Sequence, residues 1–338
     1  MDAKAGTMTL ESNSPPRTPR RWLRICGVGV LLVVLAWGGF AAYCIRESQQ
    51  RVVAIARLQT VAHCNLGHSH VLPFAKYLPA KIQSRLPRRS TVHNAIFKTD
   101  VPHPGRYLRD VGPEHFGLVM IPRTTLTRED IEVLSRAVPL SSLTIRECQF
   151  EAGALTLLTD LPNLTSLELL SCTFAPTDEI DFPSMPKLWQ VDLSHSTFQD
   201  GVLRQLAGHP SLVRIDLTST PVTEDGLQLI RHLPCLRYLD LRDTRITGLG
   251  LSGLDSPLTH LNLKETAAND TTVEILTQWH TLRSVNLANT HVTVAGVRLL
   301  CQLPKIEELI LDGCPVGDVR EMLEKVPTMK HWSAEGTR

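Results

Sequence analysis

Neither sign of charge prevails in this chain: 35 lysines and arginines stand against 34 aspartates and glutamates, a formal net charge of +1. A protein that held nucleic acid by its phosphates would carry a basic excess or a basic stripe, so that class of partner is set aside. The 8 cysteines lack the close, regular pairs of a small secreted domain stapled by disulfides, and they leave the redox compartment open. There is no Cys-x-x-Cys-His run for haem attachment, no nucleophile elbow, and no convergent polar set of the kind that marks a reaction centre. No catalysis and no cofactor are therefore expected. Long uncharged runs are also missing, with one exception.

That exception is residues 25–45, ICGVGVLLVVLAWGGFAAYCI. At about 1.5 Å per residue a helix of this length crosses a hydrocarbon core of about 30 Å, and it reads as a single transmembrane helix. Trp22 on one side and Trp37 with Tyr43 toward the other fit an interfacial placement loosely. Lys4, Arg17, Arg20, Arg21 and Arg24 precede the run, whereas Arg46, Arg51 and Arg57 follow it. The bias points the N-terminus to the cytoplasm and places everything after Ile45 outside it, in the periplasm or at the cell surface. A cleaved leader ending near Ala41 or Ala42 is the competing reading, since Gly39-Phe40-Ala41 offers small residues; the run is longer than an ordinary signal core, which favours an uncleaved anchor. Residues 1–24, rich in Ser, Thr and Pro at their start, are expected to be a disordered tail.

The rest of the chain is governed by a recurrence. The frame Leu-x-x-Leu-x-Leu-x-x-Thr/Cys begins at Phe116, Leu140, Leu164, Leu188, Leu212, Leu236, Leu258, Leu282 and Ile306, spaced by 24 residues except for 22 between Leu236 and Leu258. In residues 212–220 the apolar Ile215 and Leu217 alternate with Arg214, Asp216 and Thr218, and a period of two predicts a strand with one buried face. Two positions past the Thr or Cys stands a residue to plug the turn: Phe150, Phe174, Phe198, Val222, Ile246, Ala268, Val292 or Val316. Apolar residues three apart follow, as in Leu227, Ile230 and Leu233 or Leu155, Leu158 and Leu161, which puts them on one side of a short helix. Pro162, Pro186, Pro210, Pro234 and Pro304 then stop that helix, because proline cannot continue an amide ladder. The ninth position holds Cys148, Cys172, Ser196, Thr220, Thr244, Thr266, Thr290 and Cys314, small enough to turn inward and satisfy backbone groups at the bend. Cys148 and Cys172 fall in adjacent coils, where a bridge is geometrically open, but reduced and buried thiols are the expectation.

A unit of this length and frame reads as a leucine-rich repeat, whose apolar face is buried only by stacking on its neighbours. The fold expected is an α/β leucine-rich-repeat solenoid over residues 116–338, about nine repeats and a C-terminal cap, with a parallel β-sheet on the concave side and short helices on the convex side, preceded by the transmembrane helix. The segments Thr220-Pro221-Val222-Thr223-Glu224-Asp225-Gly226-Leu227 and Thr290-His291-Val292-Thr293-Val294-Ala295-Gly296-Val297 resemble the Thr-x-Val-Thr-Asp-x-Gly-Leu units of bacterial, planctomycete-type leucine-rich-repeat proteins. The stretch from Arg106-Tyr107-Leu108-Arg109 to Phe116 resembles the approach to the first repeat in their membrane-anchored members. The resemblance covers about two thirds of the chain and implies the fold; it says little of function, because such families diverge at the solvent-facing positions. A weaker similarity to the repeat half of F-box proteins rests on the shared Cys/Thr position, and no F-box-like helical segment precedes these repeats.

Residues 46–115 are expected to supply a juxtamembrane helix, a stalk and an N-terminal cap. Val52, Ile55, Leu58 and Gln59 have helical spacing, whereas residues 72–112 hold five prolines and the basic run Arg85, Arg88 and Arg89. His63-Cys64-Asn65-Leu66-Gly67-His68-Ser69-His70 gathers metal-ligand types, yet its spacing matches no common zinc motif, so no metal site is expected. Gly248-Leu249-Gly250-Leu251-Ser252-Gly253 matches Gly-x-Gly-x-x-Gly in letters, but it stands where the 22-residue unit is shortened rather than in a dinucleotide-binding turn. Ser194-His195-Ser196 sets a hydroxyl beside an imidazole on a strand, where neighbours point to opposite faces.

Function is carried by the positions the scaffold leaves free. The middle solvent-facing residue of each strand runs Met120, Thr144, Glu168, Asp192, Asp216, Asp240, Asn262, Asn286 and Ile310, flanked by Gln190, Arg214, Tyr238 and His260 on one side and Ser194, Thr218, Arg242 and Lys264 on the other. Repeat consensus accounts for the acidic column in one reading. In the other, Glu168, Asp192, Arg214, Asp216, Tyr238, Asp240, Arg242, His260 and Lys264 form a mixed-charge face that recognises a protein or peptide, with Tyr238 as its aromatic anchor. A membrane-anchored binding module is the expectation; an envelope spacer without a defined ligand, or a cytoplasmic adaptor of the F-box-like type, are the alternatives.

Overall fold

A computed structural model of the chain describes residues 49–70, 88–113, 116–158, 161–175, 180 and 182–336, with positions 40, 42, 43, 46 and 47. The expected tail, 1–24, and most of the expected membrane run, 25–45, lie outside the described residues. Phe40, Ala42 and Tyr43 from that run are helical. Among the described residues no helix is long and apolar enough to cross a membrane. The chain falls into two compact units, Met1–Gln50 with His70–Arg89, and Arg51–Ser69 with Ser90–Arg338. The second holds nearly all that is described.

Residues 51–61 are helical and turn Ala54, Ile55 and Leu58 inward while Val52 stays exposed. In chain order the strands are β1 (Ala62–His70), β2 (Arg88–Phe97), β3 (Leu118–Pro122), β4 (Thr125–Leu126), β5 (Ser142–Arg146), β6 (Gln149–Phe150), β7 (Ser166–Leu170), β8 (Gln190–Asp192), β9 (Arg214–Asp216), β10 (Tyr238–Asp240), β11 (His260–Asn262), β12 (Ser284–Asn286), β13 (Glu308–Ile310) and β14 (His331–Ser333). All but β4 and β6 lie side by side in a 12-stranded sheet. From β2 to β14 the pairing is parallel, which obliges each coil to cross back between strands. β1 and β2 add strands within the region expected to be stalk or irregular cap. The run His63–His70 is thus an extended strand rather than a tight loop.

The frame residues are the core. Leu212, Ile215 and Leu217 are fully buried, as are Leu236 and Leu241 one coil on, and one buried cluster continues from Ala54 to Val326. The plug residues Phe150, Phe174 and Phe198 follow one another in a tilted and then an edge-to-face contact, with ring centroids 5.7 and 6.2 Å apart. At the ninth position the side chain decides the partner. The hydroxyls of Thr220, Thr244, Thr266 and Thr290 donate to the carbonyl three residues back, at 2.6–2.7 Å. Ser196, Cys148, Cys172 and Cys314 instead reach the carbonyl 27 residues back, in the preceding coil. Cys148 and Cys172 are free thiols, and burial pushes the Cys172 thiol up to about 12, so it stays protonated and unreactive.

The outer side is less regular than the three-residue spacing suggests. Glu224–Leu229, Asp270–Leu276 and Val294–Leu300 are α-helices, but Leu155–Leu157, Phe182–Ser184 and Leu249–Leu251 are single 3-10 turns. A spacing of three suits either form. These three α-helices begin on a capping Thr or Asn, Thr223, Asn269 and Thr293, whose side chain accepts from the first turn; the shorter α-helices Gly201–Arg204 and Arg320–Glu324 and the 3-10 turns Leu155–Leu157 and Leu249–Leu251 have no side-chain cap.

An acid at one helix start also grips the next coil. Asp200 accepts from the Thr223 backbone N–H at 3.2 Å and from its hydroxyl. Glu224 accepts from Thr247 N–H and hydroxyl at 2.5 and 2.8 Å and from the N–H of Gly250 at 2.5 Å. Asp270 takes Thr293 N–H and hydroxyl at 2.8 and 2.6 Å. A Cβ at Gly226, Gly250 or Gly296 would overlap Asp200, Glu224 or Asp270 respectively. Gly250, the second glycine of the apparent nucleotide motif, is therefore the clearance for a neighbouring carboxylate.

Candidate functional site

Strand register determines which exposed side chains meet. Thr144, Glu168, Asp192, Asp216, Asp240, Asn262, Asn286 and Ile310 are successive partners across β5 to β13, and Ser166, Gln190, Arg214, Tyr238, His260, Ser284 and Glu308 form the row beside them. Parallel neighbours stand about 4.8 Å apart. Arg242 and Lys264 lie just past the strands, in the turn, on the third row. Two positions expected to face solvent are buried. Thr144 sits under Glu168, donating to its carboxylate at 3.1 Å, and Thr218 turns its hydroxyl onto Asp216 at 2.6 Å.

The acidic column has a structural duty in addition to its charge. Asp192, Asp216 and Asp240 each accept from the backbone N–H two residues ahead, at 2.9, 3.0 and 3.0 Å. Asn262 and Asn286 make the same bond at 3.1 and 3.0 Å. These are Asx turns, which divert the N–H from the ladder, and each of those strands, β8 to β12, has three residues. β5 and β7, with Thr144 and Glu168 in the column, run to five. β13, ending at Ile310, is short without such a turn. Asx turns also let Asn replace Asp without loss of the bond. The Asp192 carboxyl is pushed up, first by burial and then by the neighbouring Asp216 and Glu168, with the Ser194 hydrogen bonds pulling the other way.

The centre of the face is aromatic. The Tyr238 and His260 rings stack at 4.3 Å with planes 18° apart. The Arg214 guanidinium lies 6.0 Å from the Tyr238 ring centroid and 3.7 Å from Asp216. Burial lowers the His260 pKa below its ordinary value; Arg283 and Arg214 add to this, and Glu308 opposes it. A depression of about 310 Å³ opens here, lined by Arg214, Tyr238, Asp240, His260, Ser284 and Glu308, among others. Four of the nine expected residues, Arg214, Tyr238, Asp240 and His260, thus converge on it, and Asp216 adjoins through Arg214. Glu168 and Asp192 lie further along the sheet. Ser284, Asn286 and Glu308 were not among the expected residues; their signal was the row spacing itself, which sets Ser284 and Glu308 24 and 48 residues beyond His260 and Asn286 24 beyond Asn262.

The leucine-rich-repeat family model matches residues 232–254. No curated protein matches the chain. Among solved structures it is similar to an internalin from Listeria monocytogenes, at 14% identity over 71% of this chain and 72% of that one, with a TM-score of 0.48. It is also similar to a leucine-rich-repeat protein from Leptospira interrogans, at 17% identity over 67% and 68% of the two chains, with a TM-score of 0.45. The parallel ladder in 24-residue register, each strand returned by a short helical turn, makes residues 116–336 an α/β leucine-rich-repeat solenoid.

Proposed function

We propose that this protein is a binding module that takes a protein or peptide on the open face of its sheet, without a chemical reaction, and that residues 25–45 tether it to a membrane with the repeats outside the cytoplasm. The observation that carries the binding reading is the stacked Tyr238 and His260 pair, held at the mouth of a depression that charged, amide and hydroxyl side chains line together with Ile310. Aromatic anchors beside arginine are the groups that dominate protein interfaces. The tether rests on the uncharged run and on the arginines that precede it.

The test is crosslinking of partners to the full chain in intact cells, compared among variants. Tyr238→Ala combined with Asp216→Asn should cut recovery of the partner by about tenfold or more, the loss expected of a central aromatic. Asn is chosen because Asn262 and Asn286 hold the same Asx bond as Asp216. Arg231→Glu, at an exposed position on the outer side, should leave recovery unchanged. Loss with Arg231→Glu and retention with the inner pair would move the binding surface off the sheet.

A further inference from the structure

Along the central row, planar groups follow one another from strand to strand. Arg214 faces the Tyr238 ring, and Tyr238 stacks on His260 at about the spacing of the strands. The ring planes therefore stand across the sheet, and the second face of His260 looks along the row toward the next strand. That strand offers Ser284, whose side chain is too short to continue the stack. Beyond it Glu308 leans back, its carboxylate accepting from the Ser284 hydroxyl at 2.6 Å, and His331 of β14 follows Glu308 in the row. Asn262 and Asn286 lie beside this gap, which is part of the depression.

The charges around it do not cancel. Arg214 has Asp216, and Arg283 and Lys330 are both held by Glu307. Asp240 and Glu308 have uncharged donors: the Arg242 backbone N–H and the Asn262 amide for Asp240, at 3.0 Å each, and Ser284 for Glu308. Among the described residues neither forms an ion pair. The gap is thus walled by a ring face, by a carboxylate and by amides that can accept, between strands about two spacings apart, with the Glu308 carboxylate reaching back over part of that interval.

We propose, resting on the reading of this face as a binding surface, that the gap over Ser284 receives an arginine side chain of the bound polypeptide, its guanidinium stacked on His260 and paired with Glu308. A guanidinium is flat, stacks on a ring and meets a carboxylate through two parallel N–H groups. A lysine ammonium satisfies the charge but not the plane, and citrulline satisfies the plane but not the charge.

Acetyl-Gly-Arg-Gly-amide and its lysine and citrulline counterparts serve as probes, titrated into the full chain carrying ¹³C-labelled histidine. The His260 ring resonance is identified by its disappearance in His260→Gln. The arginine peptide should shift that resonance saturably, the lysine peptide at least threefold more weakly, and the citrulline peptide not at all. Glu308→Gln, which keeps an acceptor for Ser284, should weaken the arginine peptide about tenfold, and Ser284→Phe should fill the gap and abolish the shift. Equal binding of the arginine and citrulline peptides, binding that survives Ser284→Phe, or the absence of any saturable shift would overturn the assignment. If that happens while partner crosslinking still depends on Tyr238, the arginine pocket falls and the binding face stands; if crosslinking is also indifferent to Tyr238, both fall.

Discussion

Asp216 and Thr218 carry most of what the residue scale teaches. On a strand of alternating pattern both read as free, outward positions, and in the folded chain one ties down the other. A hydroxyl that finds a carboxylate two residues away turns in, whereas Arg242, its equivalent in the next coil, stays exposed. His209 is the opposite case, a polar residue with nothing to tie to. It is almost wholly buried, and neither ring nitrogen has a hydrogen-bond partner. Burial keeps its pKa below the ordinary value, and the backbone of Met185 and Phe182 offsets this only in part. The sign follows directly: the unfolded chain takes the proton first as pH falls, so the contribution is whole above about 6.5 and is lost as pH drops toward the folded value. Denaturant unfolding between about pH 7.5 and about pH 5 should show the native chain losing more stability than His209→Leu over that interval. Parallel losses in the two would assign the dependence to other groups.

At the scale of elements, the joints between coils are as specific as the core. The Thr-x-x-Gly pattern of Thr223 to Gly226 looks like a helix start in sequence, Thr for the cap and Gly for no evident reason. In the structure the glycine makes room for Asp200 of the preceding coil, and the capping Thr is itself gripped by that acid. Gly226→Ala should cost about 1–3 kcal/mol, the range for a group forced into a filled space. Asp200→Ala should cost about 1.5–3 kcal/mol for hydrogen bonds to a charged group. Because the added methyl and the lost carboxylate occupy one space, the double variant should cost less than the sum by at least about 0.5 kcal/mol. Gly201→Ala, where a Cβ meets nothing, should be neutral or slightly stabilising. These are readings of denaturant midpoints, and strict additivity of the pair would remove the clasp from the account.

For the whole molecule, the proposed tether makes the side of the membrane on which the repeats stand the decisive question. Under the reading proposed above, the arginines before Ile25 hold the N-terminus in the cytoplasm. A reporter active only in the cytoplasm should work when fused before Met1 and be silent when fused after Arg338. The reverse pattern would put the sheet face in the cytoplasm and return the adaptor alternative. The same molecule-wide view shows how a chain with so little net charge distributes its charges. Its charges are sorted by row, and several are neutralised by neighbours one coil away, as in Arg123 with Glu147 at 2.7 Å and Lys330 with Glu307 at 2.8 Å.

What the sequence by itself determined is the periodic part. A 24-residue frame with Ile215 and Leu217 inward can bury its apolar face only by stacking on copies of itself, and this dictates strand, register and core before any coordinate is known. It also places Tyr238 beside His260, because equal spacing along the chain becomes adjacency across the sheet. What only the tertiary structure decided are the contacts that depend on geometry between coils. The stacking of the two rings, the gap between His260 and Glu308, and the acid that occupies the space over Gly226 each join residues 22 to 48 positions apart. Local propensity carries no information about such pairs, since a side chain's partner there is set by how far one coil is displaced from the next.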